Sequence, residues 1–240
     1  MRLTMLGTGN ANVTDYYNTC FLLTKETPEA HFLVDAGGGN RILKILKDVG
    51  VRMEDIHDLF VTHEHVDHIL GVIWLVRMIG QKINRGEYQG KLHIYCHKEL
   101  AEKIRAIAEM TIQKKVCRNF GERIIFEVVE SGESRKILGC DTTFFDIAST
   151  KAKQFGFTMR LPDGKKLTCV GDEPYREEER AYVEGSDWLL HEAFCLYSEA
   201  ERFKPYEKHH STVKEACELA ESCSCTIPRR PTGKSGRSFM

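Results

Sequence analysis

The stretch Val61-Thr62-His63-Glu64-His65-Val66-Asp67-His68 places three histidines and two carboxylates within six positions, directly behind an apolar run. Neutral imidazoles and carboxylates are zinc ligands, and a catalytic zinc needs several of them converging while one position stays open for water. His63 and His65 are two apart, so on an extended or turning segment they point the same way, while Asp67 and His68 open the next element. Four side chains can thus fan around one point. A single histidine is more often a surface or satisfied residue than a ligand. This cluster, however, is bracketed by core elements: Asp58 to Thr62 reads as a short buried strand, and Ile69-Leu70-Gly71-Val72-Ile73-Trp74-Leu75 as the start of an apolar helix. A merely solvated loop would not be held between two such elements.

Upstream, Leu3 to Leu6 reads as a strand turned by Gly7-Thr8-Gly9-Asn10, and Cys20 to Thr24 and His31 to Asp35 as two more strands joined around Pro28, an antiparallel meander. It ends at Gly37-Gly38-Gly39, which lacks both the Gly-Lys-Ser/Thr ending of a nucleotide loop and dinucleotide spacing, so tight turn geometry is expected there. Ile42, Leu43, Ile45, Leu46 and Val49 form one helix face, with Asn40 as its cap and Gly50 as its stop. Downstream, a strand over Lys91 to Cys96 and a helix over Lys98 to Ile112 follow. The second half reads as another meander over Ile124 to Val129, Thr142 to Ala148, Gly156 to Leu161 and Lys166 to Val170, with helices near Arg176 to Val183 and from Ser211 onward. Strands then helices, twice over, predict an α/β fold of the αββα sandwich type, two mixed β-sheets face to face with helices covering both outer faces. No internal sequence repeat accompanies this symmetry.

At 240 residues with 42% apolar content, the chain fits one large domain with a sizeable core. Its 34 basic side chains against 35 acidic give a net charge of -1, so no global field draws it to nucleic acid or an anionic membrane. No run approaches the ~20 apolar residues of a membrane span. Nine cysteines are scattered without a C-x-x-C pair, and the N-terminus enters strand pattern at once, which predicts reduced thiols and a cytoplasmic location.

Four further places carry chemistry. Asp172 is released at the end of the apolar run Leu167-Thr168-Cys169-Val170-Gly171, and His191-Glu192 at the end of another, Trp188-Leu189-Leu190; His209 and His210 stand just before a helix that Ser211 or Thr212 could cap. Taken singly these read as turn chemistry, a structural hydrogen bond and a surface loop. Beside a metal site, a Glu hydrogen-bonded to a His would orient it as a proton donor to a leaving oxygen.

His63-Glu64-His65-Val66-Asp67-His68 resembles the H-x-H-x-D-H motif of the metallo-β-lactamase superfamily, whose fold is the αββα sandwich, and the chain is most similar to its ribonuclease Z-like phosphodiesterase branch. Leu3 to Gly9 resembles that branch's opening strand and turn, His191-Glu192-Ala193-Phe194 its His-Glu-Ala-Thr segment, and His210-Ser211-Thr212 its His-Ser-Thr segment, a likeness running from Met1 to about Glu221. The resemblance implies two zincs, or manganese in their place. His63 and His65 would hold one ion, Asp67 and His68 the other, and Asp172 would bridge them. A hydroxide shared by the metals would be the nucleophile, with Asp67 orienting it and Glu192 and His210 as the proton-delivering pair.

Three departures shape the expectation. The family's third histidine on one zinc is replaced, Ser149 and Thr150 standing there, so that site is weakened. The long arm that grips tRNA is reduced to Pro162-Asp163-Gly164-Lys165, so a smaller phosphodiester or another ester is expected rather than tRNA, with RNA left open. The final zinc-binding histidine is missing: residues 1–221 read as the hydrolase domain, and residues 222–240 as an aberrant, disordered, basic tail. Codon degeneracy allows Cys225 to Lys234, read one nucleotide earlier, to encode Leu-Tyr-His-Thr-Glu-Glu-Thr-Asp-Arg-Glu, similar to the family's last histidine segment. A frameshift is the expectation drawn from it, and resequencing the coding DNA tests that. The leading reading is a zinc-dependent phosphodiesterase. Its alternatives are a thioester or lactam hydrolase of the same fold and a degenerate sandwich that binds metal without turnover. Homodimers are common in the branch it resembles.

Overall fold

The computed structural model describes residues 1–223, so nearly all of the tail expected from residue 222 lies outside the described residues. Strands β1 (Arg2–Gly7), β2 (Cys20–Glu26) and β3 (Glu29–Val34) form the expected antiparallel meander. Strands β4 (Ile56–Phe60), β5 (Leu92–Cys96) and β6 (Ile124–Val128) add to it in parallel, giving a six-stranded mixed sheet in the order β1-β2-β3-β4-β5-β6. Helices α1 (Arg41–Asp48), α2 (Val66–Asn84), α3 (Lys98–Thr111) and α4 (Lys114–Cys117) make the crossovers. The second sheet contains β7 (Ser134–Ile137), β8 (Cys140–Asp146), β9 (Phe155–Arg160) and β10 (Lys166–Cys169), all antiparallel, with β11 (Trp188–Leu190) parallel to β10. Helices α5 (Arg180–Val183), α6 (Ala200–Phe203) and α7 (Val213–Cys223) complete the described chain.

Side-chain alternation along the strands builds the layers. Leu22, Leu33 and Leu59 point to the helices, where they meet Ile42, Leu46, Val72 and Val76, while their neighbours Phe21, Phe32 and Phe60 point to the other sheet. Between the sheets, Phe60 packs on Phe144 and Phe157 with ring centroids 5.1 and 5.6 Å apart, and Phe32 on Phe157 at 5.4 Å. The outer face of the second sheet, with Phe145, Ile147 and Val170, is covered by Val183, Leu219 and Cys223. These four layers are the αββα sandwich, in which Leu22, Leu33 and Phe32 are all buried to within 1% of complete exclusion.

Three local expectations are corrected. Ile124 to Val128 belongs to the first sheet, beside β5, because the preceding α3 and α4 carry the chain back as a parallel crossover rather than into a hairpin. Strand β7 was hidden in Ser134-Arg135-Lys136-Ile137, whose edge position needs only one buried apolar side chain. Asn40 precedes α1 in helical geometry and makes no side-chain cap bond. No helix among the described residues is long and apolar enough to cross a membrane.

Candidate metal centre

The site lies where the carboxyl ends of β3, β4, β10 and β11 meet. Directly after β3, Asp35 adopts a positive φ of 55° and turns its carboxylate inward. Its Oδ1 accepts from the Thr62 amide (2.9 Å), and its Oδ2 accepts from the Thr62 hydroxyl (2.8 Å) and from His68 Nδ1 (2.7 Å). The turn behind it is clamped by Tyr17, whose buried hydroxyl lies 2.8 Å from the Ala36 carbonyl and 2.7 Å from that of Gly39. Helix α2 then packs on this turn at near-backbone distance: the Gly71 amide donates to Gly37 O (2.8 Å), and a Cβ at Gly71 would sit 1.8 Å from Ala36 O. Only glycine lets α2 approach closely enough to bring Asp67 and His68 against Asp35.

Each imidazole is oriented from behind. His63 Nδ1 is 2.9 Å from Thr62 Oγ1; because that hydroxyl proton goes to Asp35, the ring nitrogen donates and Nε2 is left facing the centre. His63 Nε2 lies 2.9 Å from His65 Nδ1 and 4.0 Å from Asp172 Oδ2. His68 Nε2 lies 3.5 Å from Asp67 Oδ2 and 3.8 Å from Asp172 Oδ2. Asp172 therefore stands between two groups, His63 with His65 and Asp67 with His68. Asp67 occupies the first turn of α2, where the helix dipole favours an anion.

Burial and its imidazole neighbours His68 and His65 push His63 well below the usual histidine range. His68 is opposed by its own burial, but the Asp35 carboxylate outweighs this and raises it to about 9. Burial raises Asp172 above the usual carboxylate range, although His68 pulls the other way.

The second half contributes a different group. Glu192 Oε1 accepts from the Ser211 amide and, at 2.6 Å, from its hydroxyl, while Oε2 lies 3.3 Å from His210 Nδ1. Burial would raise the Glu192 carboxyl, but the Ser211 hydrogen bonds and the neighbouring His210 outweigh it and hold the group below its ordinary value. The 3.3 Å approach is not aligned as a hydrogen bond, and His210 Nδ1 is otherwise buried without a partner. The His210 ring stacks on Phe194 with 5.0 Å between centroids and 6° between planes. His209 faces the other way, its Nδ1 3.1 Å from Thr150 Oγ1. Thr212 lies just before α7, and Glu215 reaches back to its amide (2.7 Å) in the manner of a capping box.

The two hydroxyls at the position of the replaced histidine are committed elsewhere. Ser149 Oγ donates to Glu173 Oε1 at 2.6 Å, and Thr150 to neither of the two groups of ligands. Glu173 is 1% exposed and also accepts the Thr150 and Lys151 amides, pinning this loop to the residue after Asp172. The side chain that enters is Lys151, which lines a cavity of about 670 Å³ together with His65, Asp67, His68, Asp172, Glu192 and His210.

The donor set fits a metal. Nitrogens of His63 and His65 and a carboxylate oxygen of Asp172 all lie within 4.8 Å of one another, near enough to converge on one ion. The backing of His63 by Thr62 and of His68 by Asp35 is the outer support that metal-bound imidazoles require. Sequence reasoning passed over Asp35 and Lys151. Asp35 had a signal, a carboxylate at a strand end directly before a glycine turn; Lys151 had none.

A model of the family described as Anti-Pycsar protein Apyc1 matches residues 1–227. The exodeoxyribonuclease WalJ of Streptococcus pneumoniae is 40% identical over 171 residues, 70% of this chain and 56% of that protein, so the chain spans about half the length of this relative. The crystal structure of the short form of human tRNase Z superposes with a TM-score of 0.73 at 21% identity, covering 92% of this chain and 88% of that one. The metallo-β-lactamase fold protein YhfI of Bacillus subtilis superposes with a TM-score of 0.68 at 18% identity, over 91% and 80% of the two chains. The sandwich is thus the metallo-β-lactamase fold.

Proposed function

The chain belongs to the family of the Anti-Pycsar protein Apyc1, and from that premise we propose that it is a metal-dependent phosphodiesterase acting on a small phosphodiester. The observation that carries this reading is the meeting of two groups in one cavity, the imidazole and carboxylate cluster and the Glu192–His210 pair. His63, His65, Asp67, His68 and Asp172 would hold two zincs, or manganese, and the ions would supply an activated water and neutralise charge on the phosphoryl group. Asp67, at the start of α2, orients the attacking water. Glu192, anchored by Ser211, compensates a positive His210, and stacking on Phe194 fixes the ring plane. His210 then donates a proton from Nε2 to the departing alkoxide, which leaves as the alcohol.

Substrate size follows from the loops. Between β9 and β10 the chain turns tightly, Leu161 donating to Lys165 O at 2.8 Å, so no arm extends from this place to grip a large nucleic acid. The test is turnover of bis(p-nitrophenyl) phosphate, with zinc or manganese added, against a thioester, a chromogenic lactam, a DNA strand and a tRNA precursor. Phosphodiester turnover above the others is expected; preference for the thioester or lactam would overturn the assignment. A second reading, metal binding without turnover, is favoured by Ser149 and Thr150 facing away from the cluster. Fewer than two tightly held ions per chain with no hydrolysis of any of these substrates would support it, and nearly two tightly held ions would count against it.

A further inference from the structure

The cavity is rich in carboxylates. Asp35, Asp67, Asp172 and Glu192 all line it, yet the proposed substrate is itself an anion. Metal ions would offset the carboxylates that bind them, which leaves the phosphoryl oxygens in need of a cation of their own. Two lysines line the cavity. Lys208 has its ammonium over the Phe194 ring, 4.9 Å from the centroid. The Lys151 ammonium is 3.4 Å from His210 Nε2, and among the described residues no carboxylate lies within salt-bridge distance of it. Its backbone is immobilised by the nearly buried Glu173, which accepts the Lys151 amide at 3.3 Å, so the side chain enters from a fixed base. The nitrogen it faces is the one the proton donor must use on the leaving oxygen.

Resting on the phosphodiesterase reading of this site, we propose that the Lys151 ammonium binds a non-bridging oxygen of the substrate's phosphoryl group. Without substrate it donates to the lone pair of His210 Nε2, keeping that ring in the neutral form with its proton on Nδ1. An arriving phosphodiester takes the ammonium away from His210 and frees Nε2 to take up a proton from solvent water, so that the ring becomes the positive donor that Glu192 compensates. Lys151 is therefore a substrate-binding residue that also holds the proton donor in readiness, on a loop where the resemblance places a metal ligand.

The test compares wild type with Lys151→Met and Lys151→Arg, all loaded with zinc, using inorganic phosphate as a probe in isothermal titration calorimetry and bis(p-nitrophenyl) phosphate in kinetics. Losing one charge-assisted hydrogen bond should weaken phosphate about ten- to a hundredfold in Lys151→Met. KM should rise by a similar factor, kcat should change less, and zinc content should be unaltered. Lys151→Arg should recover most of the phosphate affinity. Phosphate held equally tightly by Lys151→Met, no phosphate binding by wild type, or zinc lost from the Met variant would each overturn the proposal. Circular dichroism of the Met variant separates unfolding from loss of the contact. The two readings fail separately: Lys151-dependent phosphate binding with no phosphodiester turnover would sink only the phosphodiesterase reading, and turnover with Lys151-independent phosphate binding would sink only this one.

Discussion

The two halves of the site are held in opposite ways. On the first sheet, Asp35 gathers three donors, Thr62 passes the contact on to His63, and α2 is locked against the turn at Gly71, so the Nδ1 atoms of His63 and His68 are both held by hydrogen bonds. On the second, Glu192 follows a strand of three residues and His210 a 3-10 turn over Tyr206–Lys208, and buried atoms stay unmatched, among them His191 Nε2 and His210 Nδ1. A fully satisfied network fixes geometry before any ligand arrives, whereas a partly satisfied one takes its final geometry from what binds. On the proposed reading, the first half would be a preformed metal cradle, and the second would accommodate substrate and proton transfer.

The sharpest way to break this contrast is to remove a ligand from the cradle. His65→Ala or Asp67→Ala is expected to lose bound metal and to lower turnover at least about a thousandfold, since the ions carry several kcal/mol of charge stabilisation. Metal content and kcat/KM measured together check it; full metal content in either variant would remove that residue from the cradle. Glu192→Ala should leave metal content as it is and slow turnover by about 10²–10⁴, the usual worth of a positioned general acid. Comparable metal loss there would abolish the division between the halves. Asp35→Asn keeps the shape but takes the charge from behind His68, and metal affinity should drop about 10- to 100-fold, read by competition with a chromogenic chelator. An unchanged affinity would make Asp35 a packing residue only.

The same contrast explains what could be read in advance. His63, His65, Asp67 and His68 were legible because strand, turn and helix start are continuous in sequence, so spacing alone converges them. The layers were legible because Leu22 against Phe21 and Leu33 against Phe32 alternate with period two. Lys151 was not, because its direction depends on Glu173, twenty-two residues away, holding its loop. Nor was the place of β6, which looks like any apolar strand until α3 and α4 decide which sheet receives it. Ser149 and Thr150 were recognised as poor ligands, but only Glu173 and His209 show where their hydroxyls go.

The smallest effect on chemistry, and the one that tests the contrast outside the metal centre, concerns Glu179. Asp35 and Glu179 are both buried carboxylates, at 4% and 1% exposure, but Glu179 Oε1 accepts only the Arg176 amide (2.9 Å) and Oε2 is buried without a partner. Burial accordingly raises the Glu179 carboxyl to about 8. Between its ordinary value near 4.5 and about 8, the folded protein keeps a proton that the unfolded chain has released. Stability must therefore fall as pH rises through that window and level off above it, by on the order of a few kcal/mol at most. Glu179→Gln cannot ionise, so its unfolding free energy in urea, measured with chelator at pH 5 and pH 8, should fall less than that of wild type, with turnover nearly unchanged. Other titrating groups are common to both proteins and cancel in the difference. Parallel pH profiles would mean that Glu179 finds a partner in solution, and the second half would then be as well satisfied there as the first.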